Sequence, residues 1–121
     1  MHEVSVARDI LETALETVQP YPHTRVTAVR VKVGPLSNVL PDALLFAWEA
    51  VVEESGLAGA ELVIDETSVS AQCGSCREDF PVDDYQFSCP YCGSRQITVV
   101  SGDELEIIDV EVEYVEGYHQ A

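Results

Sequence analysis

Four cysteines, the only ones in the chain, stand as Cys73-Gly-Ser-Cys76 and, after twelve residues, Cys89-Pro-Tyr-Cys92. Each Cys-x-x-Cys pair can wrap a tight turn around one side of an ion. At this separation two such turns converge four thiolates tetrahedrally, the arrangement Zn²⁺ accepts in closed structural sites. Gly74 inside the first turn and Gly93 after the second tolerate the backbone curl this requires. Four thiolates on a dication leave an excess of two negative charges, and Arg77 and Arg95 follow the two pairs, placed to offset it. Two other chemistries compete. Disulfides suit a secreted chain, and no signal sequence precedes these residues. A redox Cys-Pro-Tyr-Cys needs a helix to open at its first cysteine, whereas Gly93 and then the β-branched Ile97 to Val100 follow here. The spacing therefore predicts Zn²⁺ at Cys73, Cys76, Cys89 and Cys92. A four-thiolate shell has no open position for substrate, so that ion holds structure.

With 121 residues, 46% of them hydrophobic, the chain can build one compact domain and a small metal-stapled module. No apolar run approaches the ~18 residues of a membrane span, and the first residues lack the apolar centre of a signal peptide. A reducing, cytoplasmic location is expected. Twenty-two acidic residues against six basic ones give a net charge of −16. That repels nucleic acid over most of the surface. The acidity reads as a solvated surface, as adaptation to a salt-rich cytoplasm, or as a face for a basic partner.

Val4, Ala7, Leu11, Ala14, Leu15 and Val18 recur at helical spacing, and Pro20 and Pro22 stop that helix. Arg25 to Gly34 alternates as a strand, with Thr27, Val29, Val31 and Val33 on the buried side. Pro41 opens and Gly56 closes a second helix that buries Leu44, Leu45, Trp48, Val51 and Val52. A strand at about Glu61 to Glu66 completes a crossover and should lie parallel to the first. After the cysteines, Asp103 to Val115 alternates but slips phase at Ile107-Ile108, which predicts a bulge there. Its Asp109, Glu111 and Glu113 should face Arg30 and Lys32 across the strands. Gly117 to Ala121 reads as a frayed end. The expected class is α+β: a small mixed three-stranded sheet with two helices, formed by residues 1–69 and 99–121, and an inserted four-cysteine, zinc-ribbon-like module at 70–98.

Met1-His2-Glu3 is the second chemical feature. A histidine at position two lets a free α-amine, an amide nitrogen and an imidazole Nδ1 close fused rings on one ion, and planar nitrogen donors suit Ni²⁺ or Cu²⁺. Taken alone, the tripeptide reads more simply as a terminal side chain in solvent.

The Met-His-Glu-Val-Ser start leading into a helix, Val-Gly34-Pro-Leu-Ser37, Pro41, the two Cys-x-x-Cys pairs and Ser101-Gly102-x-Glu104-Leu105 together resemble the HypA/HybF family, nickel-insertion metallochaperones of [NiFe]-hydrogenase maturation. The match runs almost the whole length in order. The resemblance implies that the Met1 amine, His2 and the backbone around Glu3 bind Ni²⁺ as transferred cargo, and that the four cysteines bind Zn²⁺. It also implies delivery to a hydrogenase large-subunit precursor alongside a maturation GTPase. Pro35 departs from the family, which often carries an acidic residue there, so no carboxylate is nominated at that position. Glu3 and Asp42 are further carboxylate candidates. His23 and His119 fit no motif and read as surface residues. The competing function is a zinc-ribbon interaction adaptor without nickel cargo. No nucleophile with a neighbouring base and no phosphate loop supports an enzyme.

Overall fold

The computed structural model describes residues 2–115. Helix α1 (His2–Val18) leads to strand β1 (Thr24–Val33), and a short 3-10 turn (Pro35–Ser37) precedes helix α2 (Pro41–Glu54) and strand β2 (Glu61–Glu66). Three short strands, β3 (Ser70–Cys73), β4 (Asp79–Pro81) and β5 (Ile97–Ser101), come before the long β6 (Leu105–Tyr114). They form two separate three-stranded sheets, β2-β1-β6 and β4-β3-β5. The cysteines belong to the second.

In the first sheet β1 is central, parallel to β2 and antiparallel to β6, which is the mixed sheet that the strand-helix-strand order predicts. Ala7, Ile10, Leu11 and Ala14 of α1, Leu44, Ala47, Trp48, Val51 and Val52 of α2, and Val26, Val29, Val31 and Val33 of β1 join one core. Pro41 occupies the first turn of α2, where its missing N–H costs nothing, and Gly56, at φ +75°, lies just past the end. Arg30 reaches Asp109 at 3.9 Å as the strand faces predict, whereas Glu113 pairs with Arg25, Glu111 lies opposite Ala28, and Lys32 lies 4.0 Å from Glu106. These pairs are exposed, so each contributes at most about 1 kcal/mol.

The bulge predicted near Ile107-Ile108 is present, where Arg30 faces Asp109 and Val31 already faces Ile107. Two packing details differ from the sequence reading. A second bulge falls at Thr27, so Val26 rather than Thr27 enters the core; the Thr27 hydroxyl donates to Glu111 O at 3.2 Å instead. On the helices Ile10 and Ala47 are buried, whereas Leu15 and Leu45 are each 39% exposed.

Trp48 is 2% exposed and its indole N–H donates to Ala60 O at 2.9 Å, tying α2 to the start of β2. Trp48→Ala should lower stability by about 3–5 kcal/mol, measured by urea unfolding. A loss below about 1 kcal/mol would show that Trp48 does not anchor this core.

Two glycines close the junction between the sheets. A Cβ on Gly34 would stand 2.1 Å from Gly102 O, and Gly102, at φ +111°, has room only for hydrogen against Val69. The backbones approach here as only glycine permits.

Candidate metal centre

The first knuckle springs from the end of β3. Arg77 N donates to Cys73 O at 3.0 Å and Cys73 N to Glu78 O at 2.9 Å, closing the turn. The second repeats the pattern, with Gly93 N donating to Cys89 O and Cys89 N to Ser94 O, both at 2.8 Å. Gly74 N donates to Gln96 O at 2.7 Å, and the Ser75 hydroxyl to that of Ser94 at 3.1 Å, which draws the knuckles together.

All four Sγ atoms lie within 4.8 Å of one another. Cys73 and Cys92 stand 3.6 Å apart, as do Cys76 and Cys89. A disulfide needs about 2.05 Å, so the pairs are unbonded thiols. Four sulfurs about 2.3 Å from one tetrahedral ion would be separated by about 3.8 Å, so the cluster already has the span of a metal shell. Cys73 and Cys89 are buried and Cys76 and Cys92 face solvent, which closes one side of the site and leaves the other open to an arriving ion.

Backbone donors prepare the sulfurs for negative charge. Cys76 N and Ser75 N point at Cys73 Sγ from 3.4 and 3.3 Å, and Tyr91 N at Cys89 Sγ from 3.4 Å. The Cys76 N–H is the main reason that the Cys73 thiol is drawn down to about 6. A backbone bond from Glu78 acts downward on Cys76, yet the partial loss of water around its sulfur and the sulfurs of Cys89, Cys73 and Cys92 push it up to about 12. Cys92 is also raised: the Ser94 backbone lowers it, but the Cys73 sulfur and burial prevail. A dication therefore has to displace protons from Cys76 and Cys92, and its affinity should fall steeply as pH drops.

Arg77 and Arg95 take no part in the ion pairs among the described residues, which are Arg8–Glu54, Arg25–Glu113, Arg30–Asp109 and Lys32–Glu106. Between Ser70 and Thr98 the carboxylates are Glu78, Asp79, Asp83 and Asp84, set against Arg77 and Arg95, so most of the −16 charge lies elsewhere in the sequence.

At the other end, His2 is exposed and opens α1, while Met1, like His119 and Gly117 to Ala121, lies outside the described residues. The N–H groups of a first helical turn have no partner within the helix, so those around His2 and Glu3 need one from elsewhere. The Glu3 carboxylate accepts a long hydrogen bond of 3.5 Å from Leu40 N. Leu40 is the N-cap of α2 and has no side-chain acceptor, so Glu3 supplies the negative group favoured at a helix start. Asp42 lies in the same first turn of α2. The structure therefore brings Glu3 to the start of α2. It leaves His2, and His23 in the turn just before β1, on the surface.

A family model described as hydrogenase/urease nickel incorporation, metallochaperone, hypA, matches residues 1–112. The chain belongs to the HypA family. Among its relatives, the Hydrogenase maturation factor HypA of Geobacter metallireducens is 40% identical over 113 residues, covering 93% of this chain and 100% of that one. The factor of the same name from Geotalea uraniireducens is 36% identical over the same share. The solution structure of the Ni metallochaperone HypA from Helicobacter pylori superposes with a TM-score of 0.64 at 22% identity, covering 94% of this chain and 98% of that one, and agrees in fold. HypA proteins are nickel metallochaperones of hydrogenase maturation, a carrier family rather than an enzyme family. Among the described residues no helix is long and apolar enough to cross a membrane.

Proposed function

We propose that this chain is a cytoplasmic nickel carrier and not an enzyme. Ni²⁺ is its cargo, held at the amino end by the Met1 amine, His2 and the backbone around Glu3, and delivered to a [NiFe]-hydrogenase large-subunit precursor with the help of a maturation GTPase. Cys73, Cys76, Cys89 and Cys92 hold Zn²⁺, which supplies cross-linking and no chemistry. In this reading residues 70–98 are a zinc-held module inserted into a nickel-binding body of residues 1–69 and 99–121. Support comes above all from the family match over residues 1–112, which includes the Met-His-Glu start. The tie between the Glu3 carboxylate and Leu40 N leaves the Glu3 backbone, rather than its side chain, as the simpler nickel donor.

Replacing His2 with alanine tests the reading in cells. His2→Ala protein should keep one zinc per chain and the wild-type fold, while hydrogenase maturation falls to the level of a strain lacking the gene. Full maturation by His2→Ala would favour an adaptor that carries no nickel.

The charge predicts the partner. With −16 overall, the body should dock on a basic surface, and association should slow as salt screens the field over about 8 Å near 0.15 M. Stopped-flow association with the partner at low and high salt measures this, and an on-rate indifferent to salt would contradict it. Duplex DNA should not bind at physiological salt.

A further inference from the structure

The helix-covered sheet and the cysteine-bearing sheet scarcely touch: the strands and helices of one make at most marginal contact with β3, β4 and β5. Their relative orientation is left to the two places where the chain crosses between them, Thr67-Ser68-Val69 after β2 and Gly102-Asp103-Glu104 before β6. One side chain joins both crossings. Glu104 Oε1 accepts from the Thr67 hydroxyl at 2.7 Å and from Gly102 N at 2.9 Å. The backbone of the same residue accepts from Gly34 N at 2.8 Å, which anchors it to the end of β1.

We propose that Glu104 is a positioning residue, a carboxylate clasp that sets the angle between the four-cysteine sheet and the body. A carboxylate bonded to a hydroxyl and an N–H is stronger than a neutral acceptor, and crossings of three residues are hinges unless something locks them. Backbone bonds from Leu36 N to Gly102 O at 2.7 Å and from Thr67 N to Val33 O at 3.1 Å hold each crossing to the body separately. Beyond Glu104, the Ser101 hydroxyl donates to Ser68 O at 3.0 Å and meets that of Ser70, on the side of the second sheet. Gly102 also packs against Val69, and the clasp is the hydrogen-bonded side-chain link that ties the crossings to each other beside the body. It borders an open cleft of about 480 Å³ between the sheets, lined also by Lys32, Thr67, Ser70, Asp79 and Ser101.

The charges around it keep the clasp closed at neutral pH. The Thr67 hydroxyl first, then its own N–H and that of Gly102, and Lys32 on β1, hold the Glu104 carboxyl below its ordinary range. Asp79 on β4 lines the same cleft, and Glu106 on β6 shares Lys32 at 4.0 Å. Because the folded value is depressed, the ionised clasp persists as pH falls until the medium passes below the ordinary carboxylate range. It is a fixed brace in the neutral range.

Residual dipolar couplings of the full, zinc-loaded chain test this, whether or not nickel binds at the amino end. In the wild type both sheets should fit one alignment tensor, unchanged between pH 8 and pH 6. In Glu104→Ala each sheet should keep its own internal couplings and its zinc, but the two should require different tensors. Thr67→Val should separate them partially and Thr67→Ser should restore the single tensor. One shared tensor in Glu104→Ala would overturn the proposal; should that variant not fold, one shared tensor in Thr67→Val would do the same.

Discussion

Cys89→Ser protein should lose its zinc and the fold of residues 70–98 while α1, α2 and the β2-β1-β6 sheet remain. The two sheets differ sharply in what else supports them. Sixteen buried residues form the core of the first, against four in the second, Ala71, Cys73, Phe80 and Cys89, of which two belong to the four-cysteine cluster itself. Complete burial of Phe80 contributes about 1.5–3 kcal/mol, whereas a structural zinc site contributes about 10 kcal/mol or more. With zinc bound as proposed, the metal would dominate the stability of the second sheet, whereas the first has a core that stands without it. Serine removes a thiolate whose place, 2% exposed and 3.6 Å from Cys76 Sγ, no neighbouring donor can fill. Zinc analysis with an amide NMR spectrum reads both halves of the expectation. Full zinc with unmoved resonances for residues 70–98 would remove the four-thiolate assignment.

The elements that could be read directly were those with local signals. Pro41 and Gly56 bracket α2 because a missing N–H and a positive φ have fixed places at helix ends, and the phase slip at Ile107-Ile108 marks its bulge in the order of apolar residues. The bulge at Thr27 has no such mark: threonine suits either face of a strand, and the misfit arises only against the register of β6. Strands of four and three residues, as β3 and β4 are, carry too little alternation to announce themselves. The spacing of the cysteines predicts that four sulfurs meet, and they do. What the motif Ser101-Gly102-x-Glu104 is for was illegible, because the Thr67 that Glu104 grips is 37 residues away. A carboxylate's distant partner leaves no local trace.

Nickel binding at the amino end should be abolished by residues added ahead of Met1. In the proposed site the α-amine is itself a donor, so an extension turns it into an amide while sparing every side chain, including His2 and Glu3. An ordinary α-amine has a pKa of about 7.7–8.0 and has to shed its proton to bind metal, so affinity should weaken about tenfold for each pH unit below that range. The first-turn amides have no helical partner to lose, so binding there need not disturb α1. A binding site built from side chains alone would tolerate the extension. Isothermal titration of Ni²⁺ into zinc-loaded native protein and into the same protein extended by a short amino-terminal tag tests the central claim most directly. The account predicts one specific nickel per native chain and none in the extended one, with one zinc retained in both; equal nickel affinity in the two would contradict it.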